Sequence, residues 1–430
     1  MKPTIVISSP VDTYSGYGAR SRDFIKAVID LGKYEVKLLS QRWGNTRFGY
    51  LDDHKLDNIT SLIIPQITNK PDIWIQITVP NEFSPVGNYN IGVTAGIETS
   101  ICDQSWVQGV NRMDLTLTSS NHSKLVFEKT EWEVKDNRTG KKELLKVNKP
   151  VEVLFEGVDI TKYFETKSTL DLSEIKESFC FLVVGHWLQG NLGHDRKNIG
   201  YTIKSFLETF KNKPTPPALI LKTSHVTTSL TDKDILLNKI DTIKKTVKGK
   251  LPNIYIVHGD LTDQEMNELY NHSKVKVMVT HTRGEGFGRP LLEFSMTGKP
   301  IIATAWSGHL DFLNPQHCSL INGTVEQLDN SSVQKNVLLK QSSWFKPDDG
   351  LVGKAYKNLF KKYKQFLAPA KKLRHENKTM YSYANMVDLL GSLFDKYIPE
   401  LKLEPKFNSL KLPKLKTAAP TIKLPKLKKV

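Results

Sequence analysis

The sequence predicts an α/β protein with two doubly wound parallel sheets facing a cleft, followed by a basic, extended tail. Three observations predict it. The chain opens with strand, helix and strand across 4–40. A second strand–helix–strand unit recurs across 275–304. A length of 430 residues suffices for two domains of ordinary size.

In the first half, TIVISS at 4–9 reads as a buried strand, SGYG at 15–18 as a glycine loop, Ala19 to Leu31 as a helix, and YEVKLLS at 34–40 as the next strand. Ligands of such sheets bind at the carboxyl ends of strands, where Gly16 and Gly18 lie. A lone GxG turn fits tight packing equally well. DIWIQITV at 72–79 and YNIGVTAG at 89–96 are further strands, the second leading into Glu98. LTLTSSNHSKLVF at 115–127 is a strand, a polar turn and a helix start, which makes His122 a polar residue near a helix cap. Residues 128–150 are charged and read as a surface insertion or hairpin. A strand and a Gly157-Val158-Asp159 turn follow, and the domain boundary falls at 165–178.

SFCFLVVGHW at 178–187 opens the second half as an apolar strand. Residues 193–210 are a loop and an amphipathic helix with Ile203, Phe206, Leu207 and Phe210 facing inward. Arg196 and Lys197 stand at its start, where cations oppose the helix dipole; an anion lying against that helix end would account for them. ALILKTS at 218–224 brings Lys222 to the ligand edge of the sheet. The centre is 275–313. Val275, Val277 and Val279 alternate as a strand, GEGFG at 284–288 turns, Pro290 suits a first helical turn, Gly298 and Pro300 stop that helix, and Ile301 starts another strand. Free N–H groups at a helix start suit phosphate, and glycines let a ligand approach the backbone. Glu285 and Glu293 bracket the turn, and Glu293 is placed to accept hydrogen bonds from sugar hydroxyls. Helix-capping acids beside a buried turn fit the same pattern. Residues 350–366 and 376–397 read as helices.

The full pattern is more specific than the turn. Glu285, seven residues and Glu293, with GFG after the first Glu and Gly-Lys-Pro closing the helix, resembles the donor-site signature of retaining GT-B glycosyltransferases, most closely the family 4 (group 1) type. The resemblance implies a Rossmann-like acceptor domain over 1–165, a Rossmann-like nucleotide-sugar domain over 178–350, closing helices over 351–398 that pack back toward the first domain, and a tail over 399–430. It implies a nucleoside-diphosphate sugar as donor substrate and no cofactor. It puts Glu285 at the sugar, Glu293 at the ribose, Gly286, Phe287 and Gly288 against the pyrophosphate, and Arg196 and Lys197 on the diphosphate. Gly16 and Gly18 fall near the donor phosphates, and Gly259 to Thr262 beside the base. His186 stands where the family has Arg, and Glu156 where it has Asn. Ser307-Gly308 and Asp311 are the nearest match to its Gly-Gly-x-x-Glu turn. The place of the family's acceptor-side His holds Gly96-Ile97-Glu98, which leaves Glu98 as the candidate there beside Glu285 and Lys197. No divalent metal is implied: Asp232-x-Asp234 sits in a polar run that reads as a helix start.

Bulk properties set the limits. Apolar content of 39% and charged content of 25% are those of a globular protein, and no run is long enough to cross a bilayer. The N-terminus lacks the apolar core of a signal peptide, and three cysteines without metal-ligand spacing predict a reduced, cytoplasmic protein. The formal net charge is +16, and residues 406–430 carry half of it, with eight Lys and no acid; KLPKLK occurs twice there. Such an arm favours polyanions, either nucleic acid or an anionic membrane surface to which the protein attaches peripherally; a solubilising tail has the same composition. A sugar-nucleotide epimerase, a phosphorylase and a non-catalytic nucleic-acid-binding protein share the predicted fold. The intact Glu285, Glu293 and Lys197 favour a transferase over the last. No motif sets the acceptor, the sugar or the oligomeric state.

Overall fold

A computed structural model describes residues 2–135, 140–187, 190–225 and 227–401. The Lys/Pro-rich tail from 402 onward therefore lies outside the described residues. The first domain runs β1 (Thr4–Ser9), α1 (Gly16–Asp30), β2 (Glu35–Ser40), α2 (Tyr50–Asp53), α3 (Asp57–Thr60), β3 (Ile73–Ile77), β4 (Tyr89–Val93), α4 (Gln104–Arg112), β5 (Leu115–Thr118), α5 (Asn121–Lys129), β6 (Trp132–Lys135), β7 (Lys142–Leu145) and β8 (Val151–Val153). Its parallel sheet has the order β2-β1-β3-β4-β5-β8. The charged stretch expected at 128–150 contains the antiparallel pair β6–β7, whose tip at 136–139 lies outside the described residues.

The second domain runs β9 (Cys180–Val184), α6 (Ile199–Phe210), β10 (Ala218–Lys222), α7 (Leu230–Lys245), β11 (Ile254–Val257), α8 (Asp263–Asn271), β12 (Val275–Val279), α9 (Arg289–Ser295), β13 (Ile301–Thr304) and β14 (Ser319–Ile321), then the hairpin β15 (Gly323–Gln327) and β16 (Ser343–Pro347). Its parallel sheet has the order β11-β10-β9-β12-β13-β14. Both faces are buried, as a parallel sheet requires. Along β9, Phe181 and Val183 enter a core with Phe206 of α6, while Cys180 and Leu182 enter another with Leu291 and Phe294 of α9. The four residues expected to face inward from α6 are all buried.

Two helices differ from expectation. The first starts at Gly16 rather than Ala19, because the Ser15 hydroxyl accepts the Gly18 N–H at 2.9 Å and caps the helix three residues early. The closing helices are α10 (Asp349–Met380) and α11 (Tyr383–Tyr397). Helix α10 continues past 366 with Pro369 inside it and a non-helical residue at Lys362. It breaks instead at 381–382, where Ser382 caps α11 and the backbone pairs with Val158: the Val158 N–H donates to Tyr381 O and the Tyr383 N–H to Val158 O. Helix α10 packs on the second domain through Val352, Tyr356 and Leu359, and α11 on the first through Met386, Leu390 and Phe394.

Candidate functional site

The strand order of the second sheet reverses between β9 and β12, and open parallel sheets bind ligands at such a switch point. The loop after β9 carries Arg196 and Lys197. The loop after β12 carries Glu285. These three meet: Lys197 Nζ donates to both Glu285 carboxylate oxygens, at 2.6 and 2.7 Å, and Arg196 Nη1 lies 3.6 Å from Glu285 Oε2. Arg196 also reaches across the cleft, 3.4 Å from Glu98 Oε1 of the first domain. Burial alone would raise the Glu285 pKa, but the Lys197 ammonium and the Arg196 guanidinium hold it down at about 2.

The loop's glycines fit it to the first domain. A Cβ at Gly284 would sit 2.0 Å from Glu98 O, and one at Gly286 would sit 2.1 Å from Ala95 O. Ser119 Oγ donates to Gly286 O at 3.1 Å. Phe287 turns into the core against Phe312, with ring centroids 5.0 Å apart, so its side chain anchors the loop. Gly288 takes φ 99° at the start of α9, a conformation that favours glycine. The Ser307-Gly308 turn grips Glu285 from behind: its N–H donates to Ser307 Oγ at 2.9 Å, and its C=O accepts the Gly308 N–H at 3.0 Å. Asp311 then accepts from the Asn121 backbone N–H at 2.9 Å, tying this turn to the first domain.

Other expected residues surround this centre. Lys222 ends β10 and donates to Gly259 O at 2.6 Å. His186 Nδ1 is 2.7 Å from Ser224 Oγ, and burial followed by the charges of Lys197, Lys222 and Arg196 pushes its pKa down to about 4. A neutral imidazole thus stands among three cations, an environment that suits an anion. Gly16 has open space around its Cβ position, whereas a Cβ at Gly18 would lie 2.2 Å from Thr13 O, so Gly18 serves the β1–α1 turn. Glu293 is buried and already engaged, accepting from Arg289 Nε at 2.8 Å and from the Tyr270 hydroxyl at 3.2 Å. Asp232 lies in α7, where Ser229 caps its N–H at 3.2 Å.

With this geometry in place, residues 241–333 match the family model described as Glycosyl transferases group 1. That segment spans β11 to β15 and includes Glu285 and Glu293. That segment is similar to the group 1 glycosyl transferases.

Solved structures share the whole two-domain fold. A glycosyltransferase from Rickettsia africae aligns at 13% identity with a TM-score of 0.60, over 93% of this chain and 99% of its own. Sucrose-phosphate synthase from Thermosynechococcus elongatus aligns at 11% identity and a TM-score of 0.59, over 92% and 99%. Anabaena HepE, solved in complex with UDP-glucose, aligns at 12% identity and 0.58, over 92% and 100%. The likeness is one of GT-B fold. Among curated proteins, none matches the sequence.

The cleft holds three further residues without a site role in the sequence. Arg289 joins Glu293 to Asp23 of α1, with Nη1 2.5 Å from Asp23 Oδ2. It is a cation in a helix's first turn, the same signal that singled out Arg196 and Lys197. Glu156, beside the crossing at 157–158, faces Arg20 and Arg289; burial raises its pKa against their pull. His122 was read as a cap-side residue, but its ring packs edge-on to Trp306, 4.8 Å between centroids, and burial lowers its pKa to about 4. No local signal marks Glu156 or His122, because their partners are far away in the chain: Arg20 and Arg289 for Glu156, Trp306 for His122.

Proposed function

We propose that the protein is a retaining glycosyltransferase that moves a sugar from a nucleoside-diphosphate sugar to an acceptor bound by the first domain. The observation that carries this reading is the Lys197–Glu285 pair at the switch point, with Arg196, Lys222 and His186 around it. An ammonium has three N–H groups, and two of those on Lys197 are given to Glu285. The third is left for the donor diphosphate, so Lys197 holds donor phosphate and Glu285 together. As the bond from C1 of the sugar to the phosphate oxygen breaks, its electron pair leaves with the diphosphate, and Lys197 and Arg196 stabilise that charge. Glu285, ionised throughout the neutral range, faces the sugar and favours its oxocarbenium-like centre. The acceptor oxygen bonds to C1 on the same face, and its proton passes to the departing phosphate. Contact of the Gly284–Gly286 backbone with the first domain excludes water, which would otherwise hydrolyse the donor. Glu293 takes the ribose hydroxyls once Arg289 yields its Nε–H bond.

Anabaena HepE was solved with UDP and with UDP-glucose, which makes UDP-sugars the first donors to try. Calorimetry against UDP-, GDP-, ADP- and TDP-sugars is expected to show one saturable donor, with slow hydrolysis that Glu285→Gln abolishes. The proposal fails if no nucleotide sugar binds and the variant behaves as wild type. An inverted anomeric product by NMR would remove the retaining mechanism alone. The lysines of 406–430 bring the enzyme to a polyanionic surface. Binding to duplex DNA or to anionic vesicles should weaken steeply with salt and be lost on deletion of 406–430.

A further inference from the structure

Behind the loop that carries Glu285 lies a second concavity, a groove of about 580 Å³ built wholly from second-domain residues. It runs between α6, the first turns of α10 and the β15–β16 hairpin, and its size is that of a small-molecule site. Its floor contains Asn198 and Arg283, which are 0% and 3% exposed. Asn198 follows Lys197 in the chain, and Arg283 precedes Glu285 by two residues. The two loops of the active site therefore give residues both to the cleft and to this groove. The floor also joins them, since the Arg283 N–H donates to Arg196 O at 2.8 Å.

The groove's unmatched polar groups define what it would take. At the floor, Asn198 Oδ1 and Arg283 Nε have no hydrogen-bond partner among the described residues. Leaving a buried donor or acceptor unpaired is costly, and native structures usually match such groups with a ligand or water. On the walls, each acid already has a partner. Glu326 lies 2.5 Å from Arg283 and 3.5 Å from Lys346, Glu208 lies 2.5 Å from Lys211, and Asp349 accepts from the Tyr201 hydroxyl at 2.5 Å. Lys204 and Lys357 line the same groove, are exposed, and have no ion-pair partner among the described residues. Beyond the Asp349 carboxylate, whose partner is a neutral hydroxyl, the unmatched set is two ammonium groups at the rim, with Asn198 Oδ1, Arg283 Nε and His194 Nδ1 buried below them.

We propose that this groove binds a phosphorylated sugar or polyol and that its occupancy is felt at the Lys197–Glu285 pair. The phosphate lies between Lys204 and Lys357. Asn198 Oδ1 and Arg283 Nε are sealed from solvent, so on binding the floor side chains turn outward, Asn198 Oδ1 to accept from one hydroxyl and Arg283 Nε to donate to another. A shift of either floor residue is passed through one or two peptide units to Lys197 or Glu285.

The test uses the full chain without nucleotide sugar, so it stands apart from the identity of the donor. Glucose 6-phosphate is titrated calorimetrically, with glucose and inorganic phosphate as separate arms. Two variants remove the site without touching the cleft. Lys204→Glu with Lys357→Glu reverses the rim charge. Gly353→Leu fills the groove from α10, where an added Cβ would meet only Thr209 Oγ1 at 3.7 Å, so the helix accepts it. Wild type is expected to bind glucose 6-phosphate at least about tenfold more tightly than either arm, and each variant to lose at least about tenfold, equivalent to about 1.4 kcal/mol. Absence of saturable binding, or equal binding by wild type and both variants, overturns the site. Inorganic phosphate binding as tightly as glucose 6-phosphate overturns the roles of Asn198 and Arg283. The coupling predicts that glucose 6-phosphate changes the Kd of UDP at least threefold in wild type and not in Gly353→Leu, and an unchanged Kd in wild type overturns it.

Discussion

The two edges of the cleft come from two parallel six-stranded sheets, yet they are made of different chemistry. The edge of the second sheet carries charge in Arg196, Lys197, Lys222, Glu285 and Glu293. The edge of the first is rich in buried hydroxyls: Thr94, Thr118, Ser119, Ser120 and Ser123. Fixed charges suit a partner whose charge changes during reaction. Hydroxyls both donate and accept, and so fit a neutral acceptor in several orientations. The edges meet where the backbone of Gly284 and Gly286 touches Glu98 O and Ala95 O, so the charged side also closes the site.

Lys197 is where this contrast breaks most completely. Lys197→Met leaves Glu285 without its main counter-ion and, under the proposed function, the diphosphate without its cation. Donor turnover should fall by about 10²–10³-fold, measured as release of free sugar, whereas Ser119→Ala should change it by less than tenfold. Similar losses in both would erase the distinction between the edges.

The next effect is one of acid stability. Glu285 is held at about 2, below its ordinary 4.5, so its folded form binds protons less readily than its unfolded form. The stabilisation is therefore complete above about pH 4.5 and is lost as pH falls toward 2, with a total on the order of 3 kcal/mol. Urea midpoints across pH 5 to 2 should fall less steeply in Glu285→Gln than in wild type; parallel curves would mean that the pair contributes no pH-dependent stability. A smaller effect is expected where the edges touch. Gly286→Ala places a Cβ against Ala95 O and should destabilise the closed form by about 1–3 kcal/mol, seen as a larger radius of gyration in solution scattering. An unchanged radius would show that the loop tolerates the methyl. The least effect is expected at Ser119. Its single hydroxyl proton is shared between Ala95 O and Gly286 O, a hydrogen bond worth about 1 kcal/mol, and Ser119→Ala should lower the melting temperature slightly without altering the Kd for donor.

What could be read from the sequence follows the same division. Charged residues at helix starts stand out against the dipole rule, and Glu285, Lys197 and Arg196 were found that way or through their spacing. Arg289 carries the same signal, but it stands beside Pro290, a residue that itself marks helix initiation. The hydroxyl edge was harder to see, since Ser and Thr at strand ends look like ordinary turn residues. His122 looked like a cap because Trp306, which covers it, is 184 positions later in the chain. Helix ends show the same limit. Ser15 beside two glycines concealed a cap within an apparent loop. The sequence reads as helices over 350–366 and 376–397, whereas the chain breaks at 381–382, where it pairs with Val158, a contact set by tertiary structure.

That last pairing has a mechanical consequence. The polypeptide passes between lobes at 155–158 and returns at 380–383, and the two passes run side by side, joined by backbone hydrogen bonds on either side of Val158. Gly157 makes the approach possible, as a Cβ there would lie 2.7 Å from the Tyr383 Cα. Two adjoining passes tie the lobes along a line rather than at a point, so the crossing is braced by backbone as well as by side chains.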